Sequence, residues 1–202
     1  MAEMDTYKGI TPTLVVDTRD LQNTTPVAGT KWRRGSDGKF TATTGNEGTC
    51  ATLVSFWLSQ RVAGTMVTDI SQFPSKFTIS IAQSGYEAEG GQIGTRPALL
   101  DRFGVMVNSE REKKRKWYMW SSKRLDESFA TFASKPGYYY LSIQGDGGHA
   151  LGIVTQGTVQ FFDPNEGIMT LNSAQDLKVW TPRYITHDYP DLLKELTYYG
   201  VG

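Results

Sequence analysis

The chain has 202 residues, of which 39% are hydrophobic and 12% aromatic, enough to bury the core of one domain or at most two. It carries 21 basic and 21 acidic side chains, so the overall charge favours neither nucleic acid nor a membrane surface as a partner. A single cysteine, Cys50, excludes an internal disulfide, and with only two histidines we expect no closed zinc site and no cofactor.

The N-terminal segment, residues 1–45, is rich in threonine, glycine and polar residues and is expected to be extended. One strand is predicted at residues 14–16 and a hairpin around residues 35–38. The first residues lack the apolar stretch of a secretory signal, and no run in the chain is long enough to cross a bilayer. We therefore expect a soluble protein made in the cytosol.

The next part, residues 46–140, is expected to be mainly helical. The run over residues 50–63 is apolar on nearly all sides, which is typical of a buried helix. Residues 71–83 also follow a helical pattern, and a short helix is predicted to end before Gly104. Helical spacing returns at residues 125–132.

The last part, residues 141–202, is expected to be mainly β. Strands are predicted at residues 138–143, in a hairpin over residues 149–163, and at residues 177–185. These segments suggest an antiparallel sheet of about four to six strands. Because helices precede strands, the order favours an α+β fold in a single domain.

The predicted hairpin brings a histidine beside an aspartate. Its loop, Thr155 to Gly157, suits a type I turn closed by a left-handed glycine. Pairing Val154 with Thr158 then places His149 directly opposite Asp163 on one face of the sheet. The same face would carry the apolar side chains Leu151, Ile153, Val159 and Phe161. An imidazole oriented by a carboxylate is half of a nucleophilic site.

Cys50 stands where the predicted buried helix begins. The unpaired amides of a helix N-terminus and a nearby protonated histidine both stabilise a thiolate, so this position suits a nucleophile. An acyl-transfer site also needs donors for the oxyanion: the Cys50 amide supplies one, and Asn46 is the candidate for the other. The alternative is that Cys50 is an ordinary apolar residue of the helix and that Asn46 only forms the turn.

The two motifs read NEGTCATLVSFWL at residues 46–58 and GHALGIVTQGTVQFFDPNEG at residues 148–167. They resemble the YopT and AvrPphB group of papain-like cysteine proteases, effectors injected by bacterial type III secretion. The resemblance implies a catalytic triad of Cys50, His149 and Asp163 in one papain-like domain over residues 1–202, with the cysteine helix packed on an antiparallel sheet. It also implies cleavage of a host protein in the host cytosol. Thr44 stands where papain itself has glutamine.

Three functions stay open at this point. The first is a thiol protease in which Cys50 attacks, His149 moves the proton and Asp163 holds the ring. The same triad would serve a deamidase, a transglutaminase-like enzyme or an acyltransferase, because all share the covalent intermediate. The third is a non-enzymatic interaction module.

A basic run beside aromatic residues supports that third interpretation. It consists of Arg111, Lys113, Lys114, Arg115 and Lys116. This run would bind a partner, or serve an enzyme as an exosite for an acidic substrate surface, although such runs are usually solvated faces. The other histidine, His187, lies among polar residues and is expected at the surface.

Overall fold

The computed structural model describes residues 6–22, 32–34, 40–42, 49–88, 98–116, 126–127, 129–130, 132, 134–145 and 148–202. Its strands are β1 (Thr13–Asp17), β2 (Trp32–Arg34), β3 (Phe40–Ala42), β4 (Val107–Lys116), β5 (Tyr138–Gln144), β6 (Gly148–Val154), β7 (Gln160–Asp163), β8 (Gly167–Thr170) and β9 (Glu195–Val201). Its helices are α1 (Arg19–Gln22), α2 (Thr49–Val62), α3 (Lys76–Ala88), α4 (Ala98–Arg102) and α5 (Ala174–Asp188), with 3-10 turns at Ile70–Gln72 and Pro190–Leu192.

The centre of the molecule is a seven-stranded sheet in the order β1-β8-β7-β6-β5-β9-β4, with antiparallel pairing between neighbours. Strands β2 and β3 form a separate pair. Helix α2 packs against β6, so the cysteine helix lies on the antiparallel sheet and the expected α+β class is confirmed. The sheet is larger than the four to six strands predicted, because the two ends of the chain and the basic segment all join it.

Several predicted elements are confirmed. The strand at residues 14–16 is β1, and the apolar run from residue 50 is α2. The strands flanking the hairpin around residues 35–38 pair as expected, while the turn itself lies outside the described residues. The pattern at residues 71–83 gives a 3-10 turn and then a helix that starts at Lys76, because Pro74 separates the two.

The strand predicted at residues 177–185 is wrong, because this segment lies within helix α5. Ser173 caps the helix by accepting a hydrogen bond from the Asp176 amide at 3.0 Å. The buried side chains recur at helical spacing, which overrides the strand preference of the aromatic and β-branched residues among them. They are Leu177, Trp180, Thr181, Pro182, Tyr184 and Ile185.

Two apolar layers enclose the sheet, and alternation along β7 shows how the strand serves both. Phe161 packs edge-on against Trp180 of α5, with ring centroids 5.6 Å apart. The next residue, Phe162, faces the other way and packs on Trp57 of α2 at 5.3 Å. The sheet is therefore the middle of three layers, and helices on both faces can place side chains at the end of β6.

Helix α2 packs tightly against Gly152 in β6. A Cβ atom built there would lie 2.5 Å from Cζ3 of the buried Trp57 ring. Glycine at this position therefore leaves the room that the Trp57 ring of α2 occupies against the strand.

We predict that Gly152→Ala destabilises the protein by about 1–3 kcal/mol, because the added methyl overpacks a core contact that cannot relax freely. Chemical denaturation of both proteins measures the difference. In a Trp57→Phe background the same change should be less costly, since the ring atoms that clash are gone. An equal penalty in both backgrounds would contradict the contact.

Candidate active site

Strands β6 and β7 carry His149 and Asp163, and their register differs from the prediction. The ladder pairs Val154 with Gln160, so the predicted partner Thr158 is wrong and the register is displaced by two residues. Residues directly opposite each other are therefore not His149 and Asp163. Because the displacement is an even number, both side chains stay on the predicted face of the sheet. The four apolar side chains predicted for that face are buried together in the core on its α5 side.

Hydrogen bonds to residues beside β5 and β8, the two strands that flank the hairpin, explain this register. The Thr155 amide donates to the Gly137 carbonyl at 2.9 Å, beside β5. The Val159 carbonyl accepts from the Leu171 amide at 3.1 Å, beside β8. Thr155 and Val159 therefore bond to residues outside the hairpin and not to each other. The loop consequently spans residues 155–159, with Gly157 at φ 75°.

Although His149 and Asp163 are not directly opposite each other, their side chains still form a hydrogen bond. Nε2 of His149 donates to Oδ1 of Asp163 at 2.8 Å. Both groups are buried, with His149 5% and Asp163 0% exposed. Since the ionised carboxylate only accepts, Nε2 carries the proton, and Nδ1 is the nitrogen left to face another group.

The Asp163 carboxylate accepts four hydrogen bonds within the described part of the chain. Besides His149, Oδ1 accepts from the Asn165 amide at 2.8 Å, across the turn that follows β7. Oδ2 accepts from the Tyr184 hydroxyl at 2.7 Å and from the Tyr189 hydroxyl at 2.6 Å. Burial alone would raise the pKa of Asp163, but the His149 charge and these hydrogen bonds lower it, so the carboxylate stays ionised.

Cys50 is the second residue of α2 and is 4% exposed. It is close enough to His149 to contribute to the electrostatics of the ring. Burial lowers the pKa of His149, but the charge and hydrogen bond of Asp163 and the contacts with Cys50 outweigh it and raise that pKa to about 10. The arrangement therefore favours the imidazolium form of His149 beside Cys50.

Asn46 and Thr44 are outside the described residues, so the side-chain half of the oxyanion hole stays a prediction. The basic run forms part of β4 at the sheet edge, where β9 and β5 separate it from the histidine strand. His187 is at the surface as predicted, with 67% of its side chain exposed.

Sequence reasoning missed Tyr184 and Tyr189. Tyr184 lies in α5, within the segment predicted to be a strand, and Tyr189 follows the last residue of that helix. The signal was present in the spacing of Trp180 and Tyr184, one helical turn apart, after a Ser173 cap. Tyr189 follows at the helix C-cap.

Within the described residues, no three His, Cys, Asp or Glu side chains come together in a group that could hold a metal ion. None of the helices in that part of the chain is long and apolar enough to span a membrane.

Two solved structures that align with this chain are described as an avirulence protein and as a cysteine protease-like domain. The crystal structure of the Pseudomonas avirulence protein AvrPphB aligns with a TM-score of 0.58 and 16% identity over 76% of this chain and 91% of that chain. The cysteine protease-like domain PatoxP of the Photorhabdus asymbiotica toxin PaTox aligns with a TM-score of 0.47 and 10% identity, covering 94% of this chain and 53% of that one. No curated protein sequence matches significantly.

The first of these alignments confirms the papain-like cysteine protease fold expected from the sequence. The sequence itself matches a family model over residues 22–194, most of its length and both motifs. The chain therefore belongs to the Peptidase C58 family, described as Yersinia/Haemophilus virulence surface antigen.

Proposed function

We propose that this protein is a cysteine endopeptidase that cleaves a host protein through Cys50, His149 and Asp163. The observation that carries the proposal is the buried His149–Asp163 hydrogen bond, with Cys50 close enough to the ring to contribute to raising its pKa. Membership of a peptidase family of virulence proteins supports it. Delivery into the host cytosol by a type III system is the setting that we propose for this activity.

In the proposed reaction the Cys50 thiolate attacks the scissile carbonyl carbon. The tetrahedral intermediate collapses as His149 gives its proton to the leaving amine, which leaves a thioester on Cys50. The ring, now neutral, removes a proton from water as the water oxygen attacks the thioester carbonyl. Cleavage of the C–S bond then releases the carboxylic acid and restores the thiolate–imidazolium pair. Asp163 keeps the proton on Nε2 throughout, so that the other nitrogen performs both transfers.

The start of α2 supplies electrostatic support for the same steps. The first amides of a helix have no acceptor within the helix, and they point along its axis with the positive end of the dipole. The Cys50 amide is among them, and we propose that it donates to the oxyanion. Asn46 is the proposed second donor.

Alkylation of Cys50 by iodoacetamide tests the nucleophile, and the single cysteine makes the assay specific. An ordinary thiol is almost fully protonated near pH 6, whereas a thiolate paired with His149 persists. We predict that the wild-type protein is alkylated about 100-fold faster at that pH than His149→Ala.

His187→Ala is the matched control, because it removes the other imidazole from an exposed position. It should keep the wild-type rate. A wild-type rate that follows the pH curve of a free thiol, or a Cys50 that does not react at all, would count against the nucleophile.

Asp163→Asn tests the orienting carboxylate. In the His187→Ala background the only imidazole left is that of His149, so its titration can be followed by NMR. We predict a midpoint near 10 with Asp163 present and a fall toward 6.5 or below with asparagine. A midpoint unchanged by the substitution would contradict the ion pair.

The same shift predicts how stability changes with pH. Because folding raises the pKa of His149, its contribution is complete below the unfolded value near 6.5 and is lost as pH rises toward 10. The free energy of unfolding of the wild-type protein should therefore fall over this range by more than that of Asp163→Asn. Equal slopes in denaturation experiments at several pH values would refute this.

Cleavage itself can be tested in host-cell lysate by mass spectrometry of newly formed protein N-termini. We predict N-termini that appear with the wild-type protein and not with Cys50→Ala. An intact substrate whose side-chain mass has changed would instead identify a deamidase, transglutaminase-like enzyme or acyltransferase with the same intermediate.

A further inference from the structure

One side chain outside the proposed triad touches two of its members. The Tyr189 ring stacks on the His149 imidazole, with centroids 4.8 Å apart and planes inclined by 20°. Its hydroxyl donates to Oδ2 of Asp163 at 2.6 Å and lies 3.3 Å from Nε2 of His149. The same hydroxyl accepts a hydrogen bond from Nδ2 of Asn165 at 3.0 Å.

Helix α5 fixes the position of this tyrosine. Its aromatic side chains succeed one another, with Trp180 stacked on Tyr184 at 4.6 Å and Tyr184 edge-on to Tyr189 at 6.2 Å. The Tyr189 amide donates to the Ile185 carbonyl at 3.0 Å and ends the helix, and Pro190 then begins a 3-10 turn. The ring is thus held from the helix side rather than by the strands that carry the histidine and the aspartate.

Exposure differs between the tyrosine and the two groups it contacts. His149 and Asp163 are buried, whereas Tyr189, which stacks on the imidazole, is half-buried, as expected of a ring on the solvent side of the pair. A ring over an imidazolium stabilises the positive charge, and excluding water strengthens the attraction of the carboxylate. Burial and the Asp163 charge raise the pKa of Tyr189, which keeps its hydroxyl protonated as a donor.

We propose that Tyr189 is a positioning residue of this site: its ring covers the imidazole and its hydroxyl anchors Asp163, which holds His149 facing Cys50 and keeps water from the His149–Asp163 bond. This inference rests on the proposed function of the triad. It adds to that function a residue at the C-terminal end of α5 that covers the His149–Asp163 pair.

Tyr184 provides a comparison. Its hydroxyl donates to the same oxygen, Oδ2 of Asp163, at 2.7 Å, but its ring packs on Trp180 and Phe161. Tyr184→Phe therefore removes one hydrogen bond from the carboxylate and leaves the cover over His149 in place. Tyr189→Leu removes the hydrogen bond and the cover together.

The experiment uses the His187→Ala protein, in which every imidazole NMR signal belongs to His149. The Nε2–H proton should be visible in water and remain visible in Tyr184→Phe, because the bond is shielded. In Tyr189→Leu it should be lost by exchange with solvent. Alkylation of Cys50 near pH 6 should fall about tenfold in Tyr189→Leu and less in Tyr184→Phe.

A Tyr189→Leu protein that melts like its parent and keeps both the Nε2–H signal and the alkylation rate would overturn the proposal. Should that variant not fold, Tyr189→Phe decides, since it keeps the ring and loses only the hydroxyl. We expect the Nε2–H signal to persist and alkylation to slow by about threefold. An unchanged rate would overturn the anchoring role.

The two proposals fail in different ways. If Cys50 is unreactive in the wild-type protein, the proposal of peptidase activity is refuted. The NMR comparison still reports whether Tyr189 shields His149. If Cys50 reacts as a thiolate and the tyrosine variants change neither the Nε2–H signal nor the alkylation rate, the proposed activity is supported and the role of Tyr189 is refuted.

Discussion

The hydrogen bond between His149 and Asp163 is the interaction on which the rest of the site depends. A buried carboxylate is strongly destabilising unless its charge is paired and its lone pairs are satisfied. Here the imidazole, one backbone amide and two tyrosine hydroxyls meet that requirement. The ionised carboxylate in turn favours the imidazolium form of His149, whose pKa is raised to about 10. We propose that this positive charge activates Cys50 as the nucleophile.

The three-layer fold is what brings these groups together. Helix α2 lies on one face of the sheet and carries Cys50 near its N-terminus, where the helix dipole is positive. Helix α5 lies on the other face and ends in the tyrosine that covers the imidazole. The sheet between them supplies the histidine and the aspartate from adjacent strands. The proposed nucleophile Cys50, the base His149 and the covering residue Tyr189 therefore come from three separate layers. Packing between these layers sets the distances between them.

Much of this arrangement could be predicted from local sequence patterns. The predictions that were wrong have identifiable physical causes. The buried helix from Cys50 and the shared face of His149 and Asp163 were predictable, because both rest on periodicity and an even register error leaves a face unchanged. The register itself was not, since Thr155 and Val159 bond to strands outside the hairpin. Tyr184 and Tyr189 were missed because strand propensity was preferred to helical spacing. Contact between Tyr189 and His149 joins distant parts of the chain, which no local pattern reveals.

We propose, as the central claim, that Cys50 and His149 form a thiolate–imidazolium pair in the folded protein. The ultraviolet absorbance of the thiolate, followed as pH is lowered and corrected with Cys50→Ala, measures it without a substrate. The account predicts that the thiolate signal persists below pH 6 in the wild-type protein and disappears in His149→Ala, as expected of an unpaired thiol with a pKa of about 8.5. A wild-type signal that vanishes at the same pH as in His149→Ala would contradict it.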